Sequence, residues 1–145
     1  MTGDCLCGGV RIEISGKVGP VVYCHCSRCR KAQGTAFAAN ADVRLAYWTY
    51  LAGEDLVREF ESSPGVFRAF CRRCGSSIYS RRPDAPDVRR VRLGILNDDP
   101  ERRAVAHFFV GSKAPWFEIT DALPQFAGSP ADHAAEVAAL FRPKS

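Results

Sequence analysis

Seven cysteines fall in three clusters along a chain of 145 residues: Cys5 and Cys7, then Cys24, Cys26 and Cys29, then Cys71 and Cys74. A packed core has no need of thiols at this spacing, and an odd number argues against a complete disulfide framework. Kept reduced and arranged as C-x-C and C-x-x-C, they read as metal ligands. The two pairs, Cys5/Cys7 and Cys71/Cys74, add up to one closed tetrahedral zinc site of the structural kind. The segment "CHCSRCRK" then leaves Cys24, Cys26 and Cys29 as a three-thiolate chelate with its fourth position open, the arrangement of a working zinc.

Other partitions remain at this point. The triplet can borrow a cysteine from another cluster, which strands three thiols, whereas the split into four and three strands none. His25 competes for the fourth position, although on a strand it faces away from Cys24 and Cys26 and reads better as a packing or supporting residue. A bland alternative makes all seven structural, or the triplet a buried cluster of small residues. Arg28, Arg30 and Lys31 beside the triplet fit a dry core poorly.

Three thiolates give a Zn²⁺ centre a net charge of −1, a weaker Lewis acid than zinc on three neutral histidines. Water activation is then a poor use for it. A soft centre with one vacancy suits an external thiol, held as thiolate with its pKa lowered. The expected chemistry is reversible bond formation between that sulfur and a small carbon electrophile. Arg28, Arg30 and Lys31 would meet the carboxylates of an acidic thiol or temper the centre's charge, unless they simply form a solvated helix face.

The elements that must position these thiols are largely strands. "GGVRIEIS" alternates Val10, Ile12 and Ile14 against Arg11 and Glu13, the period of a half-buried strand. "VVYCHC" predicts a second strand delivering Cys24 and Cys26, and "SRCRKAQG" a short helical turn stopped by Gly34. "TAFAANADV" resumes extended structure. "LVREFES" and "VFRAFC" flank Ser63-Pro64-Gly65 and predict a hairpin that ends at the "CRRCGS" knuckle. "SIYSRR", "VRRVRLGIL" and "AVAHFFV" are further strands. In the tail, Ser129 or Asp132 caps a helix whose apolar face is Ala134, Val137, Ala138 and Phe141.

Composition narrows the class. Hydrophobic content of 46% and charged content of 25% suit a soluble globular chain long enough to bury a core. No apolar run approaches the roughly 18 residues of a membrane helix. The N-terminus has no basic segment followed by an apolar one, so no secretory signal is expected and a cytoplasmic location is the expectation. The formal charge of +4 invites a nucleic-acid partner. Two zinc dications with seven thiolates would reduce it to +1, and no basic-aromatic stripe is present, so nucleic acid is not expected.

"CLCGGVRI", "CHCSRCRKAQGTAF", "FCRRCGSSIY", "VRLGIL" and "APWFEITDALPQF" together resemble the successive motifs of the glutathione-dependent formaldehyde-activating (GFA) family, which includes centromere-protein-V-like domains. The resemblance runs from about Cys5 to Phe126. It implies a mainly β, Mss4-like, zinc-stabilised fold with short helices and one C-terminal helix. One domain would span 1–145, its motif-bearing core at about 4–127 and the helix at about 130–142. It also implies two zincs per chain, a structural one on Cys5, Cys7, Cys71 and Cys74 and a catalytic one on Cys24, Cys26 and Cys29. The implied activity is that of a carbon–sulfur lyase condensing formaldehyde with glutathione to S-hydroxymethylglutathione. The partners would be a small thiol and a small aldehyde. A non-enzymatic zinc ribbon binding a protein or nucleic acid is the alternative, and a redox C-x-x-C protein is more distant because no βαβ unit is evident.

Trp116 and Phe117 read as core or pocket-wall aromatics, Lys113 as a surface lysine, and Asp98-Asp99 as a turn. His107 fits a strand face near a cleft or a satisfied half-buried position. His133 falls in the first turn of the last helix, and "VRRVRL" reads as a solvated strand face.

Overall fold

The computed structural model describes residues 1–142; the last three residues of the expected domain lie outside them. In chain order the strands are β1 (Thr2–Asp4), β2 (Arg11–Ile14), β3 (Val21–Cys24), β4 (Ala38–Arg44), β5 (Trp48–Ala52), β6 (Val57–Ser63), β7 (Val66–Cys71), β8 (Ser77–Arg81), β9 (Val88–Arg92) and β10 (Ala104–Phe108). The helices are α1 (Ser27–Gln33) and α2 (Ala134–Leu140), and short 3-10 turns fill several connections. The chain is mostly β with one C-terminal helix, as the sequence predicts. No described helix is long and apolar enough to cross a membrane. The contacts divide the chain into two compact units, Met1–Gly19 with Asn40–Arg102, and 20–39 with 103–142.

In the first unit β1, β2 and β5 form a three-stranded antiparallel sheet, with Ile12 of β2 opposite Gly3 and Tyr50. β2 alternates exposed and buried residues as its sequence requires, and Val10, Ile12 and Ile14 are all fully buried. A second antiparallel array runs in the order β4-β9-β8-β7-β6. The β6–β7 hairpin turns at Gly65, whose φ of 74° lies where a side chain is disfavoured. β1 and β5 carry no clear alternation in the sequence and take their extended form from the strands beside them.

The arginine-rich strand β9 departs from the expected solvated face. Arg92 is buried and hydrogen-bonds Asn40, and Arg90 pairs with Asp42 at 3.0 Å. The Arg89 guanidinium lies over Trp48, Tyr50 and Tyr79 at 5.1, 5.4 and 4.6 Å from the ring centroids. Alternation alone could not reveal this, because the aromatic partners come from distant strands. β9 also stops at Arg92, where Leu93–Ile95 turn into a 3-10 segment.

Gly53 holds the loop that follows the first cysteine pair. Its φ is 75°, and an added Cβ would lie 2.0 Å from the Gly9 carbonyl oxygen. Gly53→Ala should therefore lower the unfolding free energy by at least about 2 kcal/mol, through left-handed strain plus the clash. The check is a lower denaturant midpoint at unchanged slope.

In the second unit β3 and β10 pair in parallel, with Cys24 opposite Phe108 and Tyr23 opposite His107. Ala106, Phe108 and Val137 form a buried cluster, joined by Phe126 and Leu140; the Phe108 and Phe126 rings stack at 5.2 Å. Ser129 caps the tail in a reciprocal capping box with Asp132, but residues 130–133 form a 3-10 turn before α2 begins. That extra tight turn rotates the helix, so Val137 and Leu140 face inward. Ala134 and Ala138 of the expected apolar face are exposed, and so is Phe141.

Candidate metal centres

The first cluster brings together Cys5, Cys7, Cys71 and Cys74, with all four sulfurs within 4.8 Å of one another. Cys5 and Cys7 do not sit on an extended strand, as their C-x-C spacing suggests. β1 ends at Asp4, and the chain turns so that the Gly8 N–H donates to the Cys5 carbonyl at 2.9 Å. Cys71 closes β7 and the Gly75 N–H donates back to its carbonyl at 2.8 Å. The two halves are thus a matched pair of tight turns. Each is followed by a left-handed glycine, Gly8 at φ 74° and Gly75 at φ 78°.

Those turns let the sulfurs converge. Cys5 Sγ lies 3.5 Å from Cys7 Sγ, which lies 3.9 Å from Cys71 Sγ. Four sulfurs at about 2.3 Å from one zinc would be about 3.8 Å apart. The Val10 N–H donates to Cys5 Sγ at 3.2 Å and orients that sulfur. The Ser76 hydroxyl ties both turns together. It accepts from the Leu6 N–H at 2.9 Å and touches Cys74 Sγ at 3.2 Å, which holds the Cys74 thiol down at about 5. Sequence reading passed over Ser76; its signal is the serine that follows the glycine in "CRRCGSS".

The second cluster is Cys24, Cys26 and Cys29, again with all sulfurs within 4.8 Å. Only Cys24 is delivered by β3. Cys26 is instead the N-cap of α1, its Sγ accepting from the Cys29 N–H at 3.3 Å. Cys29 is buried in the first turn, and Gly34 ends the helix at φ 66°. Crowding pushes the Cys24 thiol well up, first through its contacts with Cys26 and Cys29 and then through burial. Three sulfurs so close cannot ionise together unless a cation compensates, so this donor set fits a soft divalent metal.

His25 is not part of that cluster. Its ring is fully buried on the other side of the chain and hydrogen-bonds through Nε2 to His107 Nδ1 at 2.8 Å. Burial, followed by the repulsion that His107 would exert were both rings protonated, lowers its pKa to about 4. His107 Nε2 in turn lies 3.0 Å from the Asp121 carboxylate. Asp121 is held below the usual carboxylate range by the Leu123 N–H and then by His107. Sequence reading found His107 and missed Asp121, whose signal is the "TDALPQF" turn.

The remaining candidates sort quickly. Trp116 is 71% exposed and so is no core residue, but with Phe117 it lines an open surface cavity; Phe117 is also half-buried against His25 and Phe37. Lys113 is not a free surface cation: its ammonium donates to the carbonyls of Ala114 and Phe117 and holds that loop. Asp98 and Asp99 act in turns, accepting from the N–H groups of Thr2 and Glu101. His133 ends the 3-10 turn before α2. Arg28 and Lys31 are exposed on α1, and Arg30 is half-buried.

Comparison with known proteins gives the arrangement a context. Two fungal relatives, from Aspergillus flavus and Aspergillus oryzae, are each named "Putative glutathione-dependent formaldehyde-activating enzyme". Each is 27% identical over 127 residues, covering 86% of this chain and 57% of the relative. The chain thus spans little more than half the length of these relatives. The crystal structure of a Rhodobacter sphaeroides protein superposes with a TM-score of 0.57 at 28% identity, covering 68% of this chain and 90% of that one. The profile of the family described as glutathione-dependent formaldehyde-activating enzyme matches residues 1–112. With more than half of its length matched, the chain belongs to the glutathione-dependent formaldehyde-activating enzyme family.

Proposed function

We propose that the chain is a zinc-dependent carbon–sulfur lyase acting on a small thiol adduct, of the S-(hydroxymethyl)glutathione synthase type. The observation that carries the reading is the triplet itself. Cys24, Cys26 and Cys29 converge, and among the described residues no fourth metal-competent side chain joins them. A closed four-sulfur cluster elsewhere in the same chain supplies the contrast, since it leaves no ligand position for a substrate.

Zinc held by Cys24, Cys26 and Cys29 would supply a soft Lewis-acidic centre with a free position that favours an external thiol as thiolate. The reaction joins the thiol sulfur to the aldehyde carbon as the C=O π bond opens, and the proton lost by the thiol ends on the new hydroxyl oxygen. The reverse step expels the aldehyde. The strand-to-helix junction fixes the three sulfurs, with the Cys26 sulfur tied to the Cys29 N–H. Arg28 and Lys31, exposed on the helix that carries Cys29, suit the carboxylates of an acidic thiol such as glutathione. Cys5, Cys7, Cys71 and Cys74 would hold the structural zinc.

The test is a screen of thiols and small aldehydes against zinc-loaded protein, with adduct formation followed by NMR. Glutathione with formaldehyde should give the hydroxymethyl adduct faster than the uncatalysed mixture. Rates equal to the uncatalysed ones for every pair would remove the enzyme reading and leave a zinc ribbon that serves a binding partner.

A further inference from the structure

Cys24 and Cys26 occupy a junction where regular structure changes. β3 ends at Cys24, and α1 begins at Ser27. Between them the backbone has few holds: the His25 N–H donates to the Phe108 carbonyl at 2.9 Å, and the Cys26 carbonyl accepts from the Arg30 N–H at 3.0 Å. The Cys29 N–H holds the Cys26 sulfur and the β3–β10 ladder holds Cys24, and the link between them turns on what fixes residue 25. Its ring is enclosed by Phe37, Phe117 and His107, with centroids at 5.2, 6.2 and 5.0 Å.

Hydrogen-bond bookkeeping then sets the tautomers. The Asp121 carboxylate only accepts, so His107 Nε2 carries a proton. A neutral His107 offers its Nδ1 lone pair, so His25 Nε2–H is the donor across the 2.8 Å contact. His25 Nδ1 is left as a buried acceptor without a partner among the described residues. His107 is itself clamped, its N–H donating to Pro124 and its carbonyl accepting from the Phe126 N–H, both at 2.9 Å. The line thus runs from an exposed carboxylate, through a rigid imidazole, to the residue between two sulfurs.

We infer that Asp121 and His107 form an outer brace for the three-sulfur centre, locking the His25 ring and with it the aim of Cys24 and Cys26. The brace rests on the metal reading of that cluster. His25, His107 and Asp121 are positioning residues, none of them a ligand. Supporting partners of this kind, when removed, weaken metal binding by about 10-fold to 100-fold.

The experiment is chelator competition on cadmium-loaded full-length chain, with cadmium-113 NMR giving a separate resonance for each centre. In His107→Ala, the three-sulfur centre should lose about 10-fold to 100-fold in affinity and its resonance should shift, while the four-sulfur resonance stays put. His107→Asn places an amide oxygen near the Nδ1 position and should recover most of that loss. Asp121→Ala lies at the surface and spares the core. It should shift imidazole nitrogen-15 signals of both histidines toward the Nδ1–H tautomer and weaken the same centre.

Unchanged affinity in His107→Ala, or no recovery in His107→Asn, would overturn the brace. If His107→Ala weakens both centres alike, Asp121→Ala decides: unmoved tautomers with unmoved affinity overturn it as well. A single cadmium resonance in the unaltered chain would instead sink the metal reading, and the brace with it.

Discussion

Cys71→Ala should yield a chain that does not hold its fold. Cys71 is fully buried at the end of β7 and is one of four sulfurs that would share the structural zinc. Zinc binding in small structural sites is worth about 10–16 kcal/mol, as large as the whole stability of a typical domain at about 5–15 kcal/mol. The small cavity left by the lost sulfur would cost only about 1 kcal/mol by comparison. Zinc chelation of the unaltered protein should therefore mimic the substitution, and the variant itself should no longer respond to chelator. Circular dichroism melts of both, with and without chelator, check this. A variant that melts with the unaltered protein would show that the four sulfurs do no structural service.

Cys29→Ala should act in the opposite way, removing activity while the fold survives. Cys29 sits in the first turn of α1 and is the third sulfur of the triplet. Two remaining thiols make a poor zinc site, so metal content should fall from two per chain to one. A Lewis-acidic centre is worth several kcal/mol to a reaction, so the rate of adduct formation in excess of the uncatalysed mixture should drop at least about 1000-fold. The thermal midpoint should move by only a few degrees, since the four-sulfur cluster is untouched. Metal analysis, a melt and the NMR assay on one preparation check all three. Loss of the fold would assign the triplet a structural role.

These contrasting outcomes trace back to a division that the spacing favoured without settling. Counting preferred the split into four and three because it strands no thiol, other partitions stayed open, and the structure brings together those same groups. The β6–β7 hairpin and the helix stop at Gly34 were legible because Pro-Gly and a lone glycine act locally. Partners supplied from far along the chain were not legible. The C-x-C pair Cys5/Cys7 reads as a strand, yet it forms a turn whose Leu6 N–H is met by Ser76 from 70 residues away. His107 reaches His25 across 82 positions and Asp121 reaches His107 across 14, pairings that no periodicity encodes. Trp116 looks like a core residue by type, and only the fold shows that Lys113 ties its loop so as to leave the indole outside.

The central claim is that one metal centre is complete and the other keeps a place for a thiol. X-ray absorption at the zinc edge tests it most directly, on protein loaded with two zincs and kept free of other thiols. Four sulfurs at one centre and three at the other should average about 3.5 sulfurs per zinc, rising to about 4 when glutathione is added. An average already at 4 without glutathione, or one that glutathione leaves unchanged, would contradict the account.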